Sequence, residues 1–218
     1  MSKQADLAPQ EIEAASFAII EREFGERTGL KVTDFSREEF AVIRRVIHAT
    51  ADFSFAHSLR FHPLAIATAI ARLRAGRAVA TDVNMTAAGI SKAGLAAWGC
   101  PVICELGGPP PAAGRAGEGG RTRAELGILA ALARQPGIVA IGNAPTALLA
   151  VIDYCQRRAD AFDGVVIGAP VGFVNALESK EMLSGLDIPH LTPLGRKGGS
   201  PVAAAIVNAL IRLAGEGS

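Results

Sequence analysis

The 218-residue chain carries 22 lysine and arginine residues against 21 aspartate and glutamate residues, so its net charge is only +1. This balance argues against a strongly basic nucleic-acid surface and against an acidic tail, and a hydrophobic content of 50% is enough to bury a full core. The polar start MSKQADLAPQ lacks the apolar stretch of a secretory signal, no run of about eighteen apolar residues predicts a membrane helix, and three cysteines do not make a disulfide framework. We therefore expect one cytoplasmic α/β domain over residues 1–218, with reduced thiols.

Two helices are predicted near the N-terminus. Apolar residues at helical spacing extend from Ala8 to about Phe24. Ser36 is expected to cap a second helix, with Glu39 three residues later as its capping-box partner. The buried face of this second helix is predicted to carry Phe40, Ile43 and Ile47.

The stretch RVIHATADF contains the main candidate for catalysis. His48 follows Arg45 by three residues, so the two side chains share one face in the last turn of the second helix, away from its apolar stripe. A titratable imidazole beside a fixed cation suits acid–base work on an anionic substrate, and the cation is expected to lower the imidazole pKa. The alternative is a hydrogen-bonded histidine with a purely structural role.

The rest of the chain alternates between strands and helices. Buried strands are predicted over Ala78–Ala80, Val102–Leu106, Ile138–Ile141, Val165–Ile167 and His190–Leu194. Helices are predicted over Pro63–Arg74, Arg123–Arg134, Pro145–Arg158, Asn175–Leu183 and from Ser200 onward. This order predicts a layered α/β/α fold with a mostly parallel central sheet, in which the N-terminal helices carry His48.

Two glycine turns are predicted at the carboxyl edge of this sheet. The segments GIVAIGNAPTALL and GVVIGAPVGFVNA share the order strand, glycine, small residue, proline, helix. Each turn brings backbone N–H groups to the edge where open α/β sheets bind ligands, so Gly142, Asn143 and Gly168 are candidate contacts. Asp82 follows another strand, and it either orients a ligand there or caps the next helix in competition with Asn84.

The segment GRKGGS, from Gly195 to Ser200, is a further candidate for anion binding. A glycine turn before a helix N-terminus offers N–H donors and the positive end of the helix dipole, and Arg196 and Lys197 add charge. Ser200 is expected to be the N-cap and Pro201 the first helical residue. The alternative is a simple helix cap, since GxxxxGK[ST] is absent and no GxGxxG follows a predicted strand.

Other polar segments carry weaker signals. The Gly- and Pro-rich stretch Gly107–Arg121 is either a surface loop or a lid that brings arginines to a ligand. Glu178 and Lys180 are expected in a solvated turn. His57 and His62 do not share a helical face, so no metal site is predicted.

Six of these segments occur, in the same order, in one family. The chain resembles the precorrin-8X methylmutases of cobalamin biosynthesis. The matching stretches are SFAII (16–20), RVIHATADF (45–53), TDVNMTAAGI (81–90), GNAPTAL (142–148), GAPVGFVNALESKE (168–181) and GRKGGSPVAAAIVNAL (195–210). The last stretch is more similar to the cobalt-precorrin-8 branch than to the metal-free branch. The loop Gly107–Gly120 departs from the family pattern, which leaves the match of Arg115 and Arg121 open, whereas Arg123 is easier to match.

The resemblance implies an isomerase, without a redox cofactor, that moves a methyl group from C-11 to C-12 of the corrin-forming macrocycle. The family's catalytic histidine falls on His48, and its substrate contacts near the N-terminus fall on Ser16 and Arg45. The resemblance also implies a homodimer with the active site near the subunit interface.

A macrocycle that bears many carboxylates needs apolar contact with its ring and cations or N–H donors at its rim. The residues predicted to bind substrate are Ser16, Arg45, Asp82, Arg123, Gly142, Asn143, Gly168, Arg196, Gly198, Gly199 and Ser200. His48 is expected to act as general acid toward a ring nitrogen beside the migrating methyl group, while substrate carboxylates keep the imidazole charged.

Two other functions stay open at this point. A non-catalytic tetrapyrrole carrier would leave the chromophore unchanged on binding, whereas an isomerase alters its conjugation. A nucleotide-binding protein would use GRKGGS for phosphate and would be stabilised by nucleotides rather than by corrinoids. The expected partner is a tetrapyrrole small molecule, with no nucleic acid and no membrane.

Overall fold

The computed structural model describes residues 8–106, 120–157 and 162–216. Within these residues the strands are β1 Leu59–Phe61, β2 Val79–Thr81, β3 Val102–Ile103, β4 Ile138–Ile141, β5 Val165–Gly168 and β6 His190–Pro193. They form one sheet in the order β1, β6, β5, β4, β2, β3. Neighbours from β6 to β3 pair in parallel, and β1 pairs with β6 antiparallel. The prediction of a mostly parallel sheet is confirmed.

The longer helices begin and end close to their predicted positions. The helices are α1 Pro9–Thr28, α2 Arg37–Thr50, α3 Phe55–Ser58, α4 Ala65–Arg74, α5 Asn84–Gly89, α6 Lys92–Ala96, α7 Arg123–Leu132, α8 Pro145–Arg157, α9 Ala176–Ser184 and α10 Ser200–Gly215. Prediction missed α3, α5, α6 and the three-residue strand β1, because such short elements show no measurable periodicity. Among the described helices, none combines the length and hydropathy needed to span a bilayer.

Helices cover both faces of the sheet. Ile138 and Ala140 of β4 belong to the core that α1, α2, α4 and α10 complete, whereas Val139 and Ile141 belong to the core built with α7 and α8. This alternation follows from the two-residue period of a strand, and it explains why β4 is apolar at every position. The predicted α/β/α layering is confirmed.

The capping box of α2 forms as predicted. The backbone N–H of Glu39 donates to the Ser36 hydroxyl over 3.2 Å, and the backbone N–H of Ser36 donates to the Glu39 carboxylate over 2.9 Å. Ala51 ends the helix in the left-handed conformation, with a φ of 53°. These caps place the last turn of α2, and with it His48, between fixed ends.

The start of α10 differs from the prediction. Its N-cap is Gly199, with a φ of 110°, and Ser200 is already the first helical residue, followed by Pro201 in the first turn. Gly199 has no side chain with which to cap the helix, and the Ser200 hydroxyl accepts a hydrogen bond from Thr86 of α5. Most of α10 is buried, so its N-terminus is held at the carboxyl edge of the sheet.

Replacing two helical glycines, Gly25 and Gly127, with alanine should change the free energy of unfolding in opposite directions. Gly25 is exposed in α1, and a Cβ there would meet nothing closer than the Leu30 carbonyl at 3.7 Å. Gly25→Ala should therefore raise the free energy of unfolding by about 0.5–1 kcal/mol through helix propensity. A Cβ on Gly127 of α7 would overlap the Glu105 carbonyl, so Gly127→Ala should lower that free energy by about 1–3 kcal/mol. Urea denaturation measures both, and equal shifts for the two variants would contradict the packing described for α7.

Candidate active site

His48 lies half-buried in the last turn of α2, on the side away from the buried stripe of that helix. The imidazole forms part of the wall of a cavity of about 270 Å³ between α2, α5 and α10. The other residues lining this cavity are Arg45, Ala49, Gly89, Pro201, Ala204, Ala205 and Asn208. A second cavity of about 420 Å³ adjoins it, since both are lined by Arg45 and Asn208. His48 is therefore accessible to a ligand.

Ser16 of α1 holds one nitrogen of the His48 ring. The Ser16 hydroxyl lies 2.9 Å from Nδ1 of His48, and the ring of Phe17 packs edge-on at a centroid distance of 5.4 Å. A hydroxyl donates to Nδ1 of a neutral imidazole and accepts from Nδ1–H of an imidazolium. Nε2 carries a hydrogen in the imidazolium and in the neutral tautomer whose Nδ1 accepts from Ser16, but in the other neutral tautomer Nδ1–H donates to the hydroxyl and Nε2 carries none. The bond to Ser16 therefore engages Nδ1 and leaves Nε2 as the ring nitrogen for a ligand, with an N–H there whenever the ring is charged.

Two charged groups, Arg45 and Glu13, act on the imidazole. Glu13 of α1 accepts hydrogen bonds from Arg45 of α2 and from Arg212 of α10, one on each carboxylate oxygen. Burial and then the positive charge of Arg45 lower the pKa of His48, while the charge of Glu13 raises it. The predicted effect of Arg45 on the imidazole pKa is confirmed, and Glu13 opposes it.

Asp82 follows β2, and its side chain reaches the glycine turn at residues 142–144 that was predicted to bind substrate. Asp82 is 2% exposed, and its carboxylate accepts hydrogen bonds from the backbone N–H groups of Gly142, Asn143 and Ala144 at 3.0, 2.8 and 2.8 Å. The N–H groups of Gly142 and Asn143, which were predicted to contact a ligand, are therefore bound by Asp82 in the structure. Asp82 itself neither caps α5 nor faces the cavity, and it acts as an internal anion that fixes the turn.

The same turn packs directly against the start of α10. A Cβ on Gly142 would lie 2.5 Å from the Thr86 hydroxyl and 2.8 Å from Cα of Ser200. The Thr86 hydroxyl donates to the Ser200 hydroxyl at 2.9 Å, and both side chains are buried. Gly142 and Ser200 therefore position α10 beside His48, and neither is exposed for ligand contact.

Gly168, Gly198 and Gly199 have structural reasons to be glycine. A Cβ on Gly168 would lie 2.5 Å from a methyl group of Leu183, and a Cβ on Gly198 would overlap the Ala169 carbonyl. Gly199 has a φ of 110°, which favours glycine, and its N–H donates to the same Ala169 carbonyl at 2.8 Å. The sequence pattern does not distinguish these reasons from ligand binding.

The cations of GRKGGS are directed to different partners. Lys197 donates to Asp52 at 2.6 Å and to Ser54 at 3.0 Å, which ties the turn to the segment that follows α2. Arg196 is exposed and lies over the ring of Phe173, 5.4 Å from its centroid. At the other predicted cation, Arg123, the side chain is exposed at the start of α7 and donates to the Leu106 carbonyl at 2.8 Å.

The comparisons with known proteins identify the family. Residues 11–213 match the family described as precorrin-8X methylmutase. The chain belongs to the precorrin-8X methylmutase family. A cobalt-precorrin-8 methylmutase from Priestia megaterium is 39% identical over 216 residues, which cover 99% of this chain and 92% of that protein. Another, from Synechocystis sp., is 42% identical and covers 91% and 93%. A crystal structure of precorrin-8X methylmutase from Thermus thermophilus matches with a TM-score of 0.80 and 38% identity, over 94% of this chain and 98% of that one.

Two further parts of the sequence analysis concern metal binding and the Gly- and Pro-rich loop. Among the described residues, no group of three His, Cys, Asp or Glu side chains is placed to hold a metal ion. Residues 107–119 of the loop lie outside the described residues, so its alternatives stay as predictions.

Sequence reasoning missed a buried lysine. Lys180 lies in α9, not in a solvated turn, and it is 0% exposed. Its ammonium group donates to the Lys197 carbonyl at 2.8 Å, and burial lowers the pKa of Lys180 to about 8. The signal was available, because Ala176 and Leu183 flank it at the i−4 and i+3 positions of one buried helical face.

We expect Asp82→Asn to destabilise the fold without any ligand present. The variant removes the negative charge that three backbone N–H groups share, so the free energy of unfolding should fall by about 3 kcal/mol. Asp153→Asn, at an exposed ion pair with Arg157, is the matched control and should change it by about 0.5 kcal/mol or less. Urea denaturation at neutral pH measures the free energy of unfolding of both variants. Equal losses would contradict a stabilising role for the bonds between Asp82 and the three N–H groups.

The buried lysine should leave a signature at alkaline pH. The unfolded chain binds the Lys180 proton up to pH 10.5, but the folded chain releases it near pH 8, so stability of the wild type rises with pH between these values. Between pH 8 and pH 10.5, the free energy of unfolding of the wild type should rise by on the order of 3 kcal/mol relative to that of Lys180→Met. Lys92→Met, at an exposed position, controls for the loss of a lysine. A difference that stays flat from pH 8 to 10.5 would refute this burial.

Proposed function

We propose that this chain is a methylmutase that moves a methyl group from C-11 to C-12 of precorrin-8, with the cobalt-containing macrocycle as substrate. Family membership supports the reaction, and the names of the relatives from Priestia megaterium and Synechocystis support the cobalt form. The observation that carries the mechanism is the Ser16–His48 hydrogen bond at the wall of the cavity.

In the proposed mechanism, His48 donates a proton to the substrate and takes it back before the product leaves. Nε2–H of His48 donates to a ring nitrogen beside the migrating methyl group, which withdraws electron density from the conjugated system and lowers the barrier to migration. The proton returns to Nε2 when the product forms, so the reaction is a net isomerisation. A positioned general acid typically contributes a factor of ~10²–10⁴. Substrate carboxylates near Arg45 would offset the charge that lowers the His48 pKa.

We propose that the carboxylates at the edge of the macrocycle bind exposed side chains near the cavity that His48 lines. Arg45 lines both cavities, and we infer that it binds a substrate carboxylate there. Arg196, Asn143 and Arg123 are exposed at or near the carboxyl edge of the sheet and stay as proposed contacts. The buried residues Asp82, Gly142, Gly168, Gly199 and Ser200 support the site from behind, and half-buried Gly198 does so through its close packing on Ala169.

The homodimer and the cytoplasmic location stay predictions. Phe173 and Val174 are 83% and 76% exposed beside Arg196, so an apolar surface lies at the same edge as the site. A second copy of the chain on this surface would enclose a macrocycle more fully than the two cavities of one chain do. Analytical ultracentrifugation of the wild type and of Phe173→Ser tests that arrangement.

His48→Asn should abolish turnover while leaving substrate bound. The amide retains a hydrogen-bonding group at similar size but cannot transfer a proton, so kcat should fall by ~10²–10⁴-fold with a dissociation constant within about threefold of the wild type. His57→Asn, at an exposed position on α3, is the control and should retain wild-type turnover.

The absorption spectrum of the macrocycle follows the reaction, with cobalt-precorrin-8 and metal-free precorrin-8 in parallel assays. Undiminished methyl migration by His48→Asn would remove the imidazole from the mechanism. A wild-type protein that binds the macrocycle without changing its spectrum would instead be a carrier.

A further inference from the structure

One carboxylate joins two arginines from different helices beside the catalytic histidine. Glu13 of α1 binds Arg45 of α2 and Arg212 of α10, each through a separate oxygen. The side chains of Glu13 and Arg45 are 26% and 25% exposed, so this pair is largely shielded from solvent. Burial works to raise the pKa of Glu13, but the hydrogen bonds from Arg212 and Arg45 hold it below its ordinary value. Glu13 is therefore ionised at neutral pH.

The position of Glu13 is set by the same helix that supplies Ser16. The two residues are three apart in α1, so both side chains face α2, where Ser16 contacts His48 and Glu13 contacts Arg45. Arg45 and His48 are likewise three apart in α2. The Ser16–His48 hydrogen bond and the Glu13–Arg45 ion pair therefore link α1 to α2 at neighbouring positions.

The charged cluster beside His48 is built from three helices. α1 contributes Glu13, α2 contributes Arg45, and α10 contributes Arg212 through its bond to Glu13, with neutral Asn208 lining the cavity. The sequence of α5, NMTAAG, carries no charged residue. Arg45 and Glu13 thus act directly on a group that must become positive to act as an acid, and Arg212 is joined to them through Glu13.

We propose that Glu13 is a positioning residue of the site, which holds Arg45 and Arg212 together and balances their charge beside His48. This inference deepens the proposed function and rests on it, because the balance matters for catalysis only if His48 is the acid. Without Glu13, both arginines would oppose protonation of the imidazole, and Arg45 would lose the contact that fixes its guanidinium.

Glu13→Gln tests the proposal by a direct titration. The four histidines can be resolved by NMR, with His48→Asn assigning the signal of interest. In Glu13→Gln the His48 pKa should fall by about half a unit, a reduced value because the cluster is partly exposed. The alkaline limb of the pH profile of kcat/KM should move to lower pH by the same amount, so that kcat/KM above the pKa falls about threefold.

Two further variants make the result specific. Arg212→Gln removes one positive charge from the cluster, so it should shift the His48 pKa in the opposite direction, upward. Glu21→Gln is the matched control, because Glu21 also lies on α1 and pairs with an arginine of α2, Arg44, but is not part of the His48 cluster. It should leave both the titration and the pH profile unchanged.

The outcomes separate this proposal from the proposed function. A His48 pKa that is the same in Glu13→Gln and the wild type, or that moves equally in Glu21→Gln, would overturn the balancing role. Because the titration needs no substrate, it answers even for a protein without methylmutase activity. In that case Glu13 would still be shown to set the His48 pKa, but this effect would have no role in catalysis. Thermal unfolding of each variant confirms that the titration reports folded protein.

Discussion

The close approach of α10 to the carboxyl edge of the sheet is the contact on which the site depends. It is possible only where side chains are small: a Cβ on Gly89 would lie 2.8 Å from that of Ala204, and a Cβ on Gly142 would lie 2.8 Å from Cα of Ser200. Because α10 is buried along most of its length, it cannot shift to relieve a larger residue at these points. The wall opposite His48 is therefore fixed by close packing of small residues, together with the Thr86–Ser200 hydrogen bond and the bond from the Asn208 amide to the Gly89 carbonyl.

Internal counter-charges satisfy many of the groups that might otherwise bind ligand. Asp82 saturates the N–H groups of one glycine turn, and Asp52 and Ser54 hold Lys197. Glu13 does the same for the arginines next to His48. Such pairs hold the side chains of the site in place, so little of a substrate's binding free energy would be lost in arranging them. Fewer N–H groups and cations are therefore left to bind a macrocycle than the glycine turns and basic residues of the sequence suggest.

The role that we propose for His48 rests on how its ring is held. The Ser16 hydroxyl bonds Nδ1, which leaves Nε2 as the nitrogen that the proposal assigns to the substrate. Partial burial disfavours the charged form of the imidazole, and Arg45 adds to that penalty. Under the proposal, the carboxylates of a bound substrate would offset both effects and favour the charged ring.

The sequence alone determined the layered α/β/α class, the capped helix that carries His48 and the family, because apolar periodicity, capping residues and motif order are local or linear properties. It also placed Ser16, Arg45 and His48 in one site, although this came from the family resemblance and not from spacing. Only the tertiary structure decided which groups are free to meet a ligand. Gly142 and Ser200 face one another from segments far apart in the chain, Asp82 reaches a turn about sixty residues away, and Lys180 is buried against the Lys197 carbonyl. Hydrogen bonds and close contacts of this kind depend on how the layers pack, and no pattern within a single segment records them.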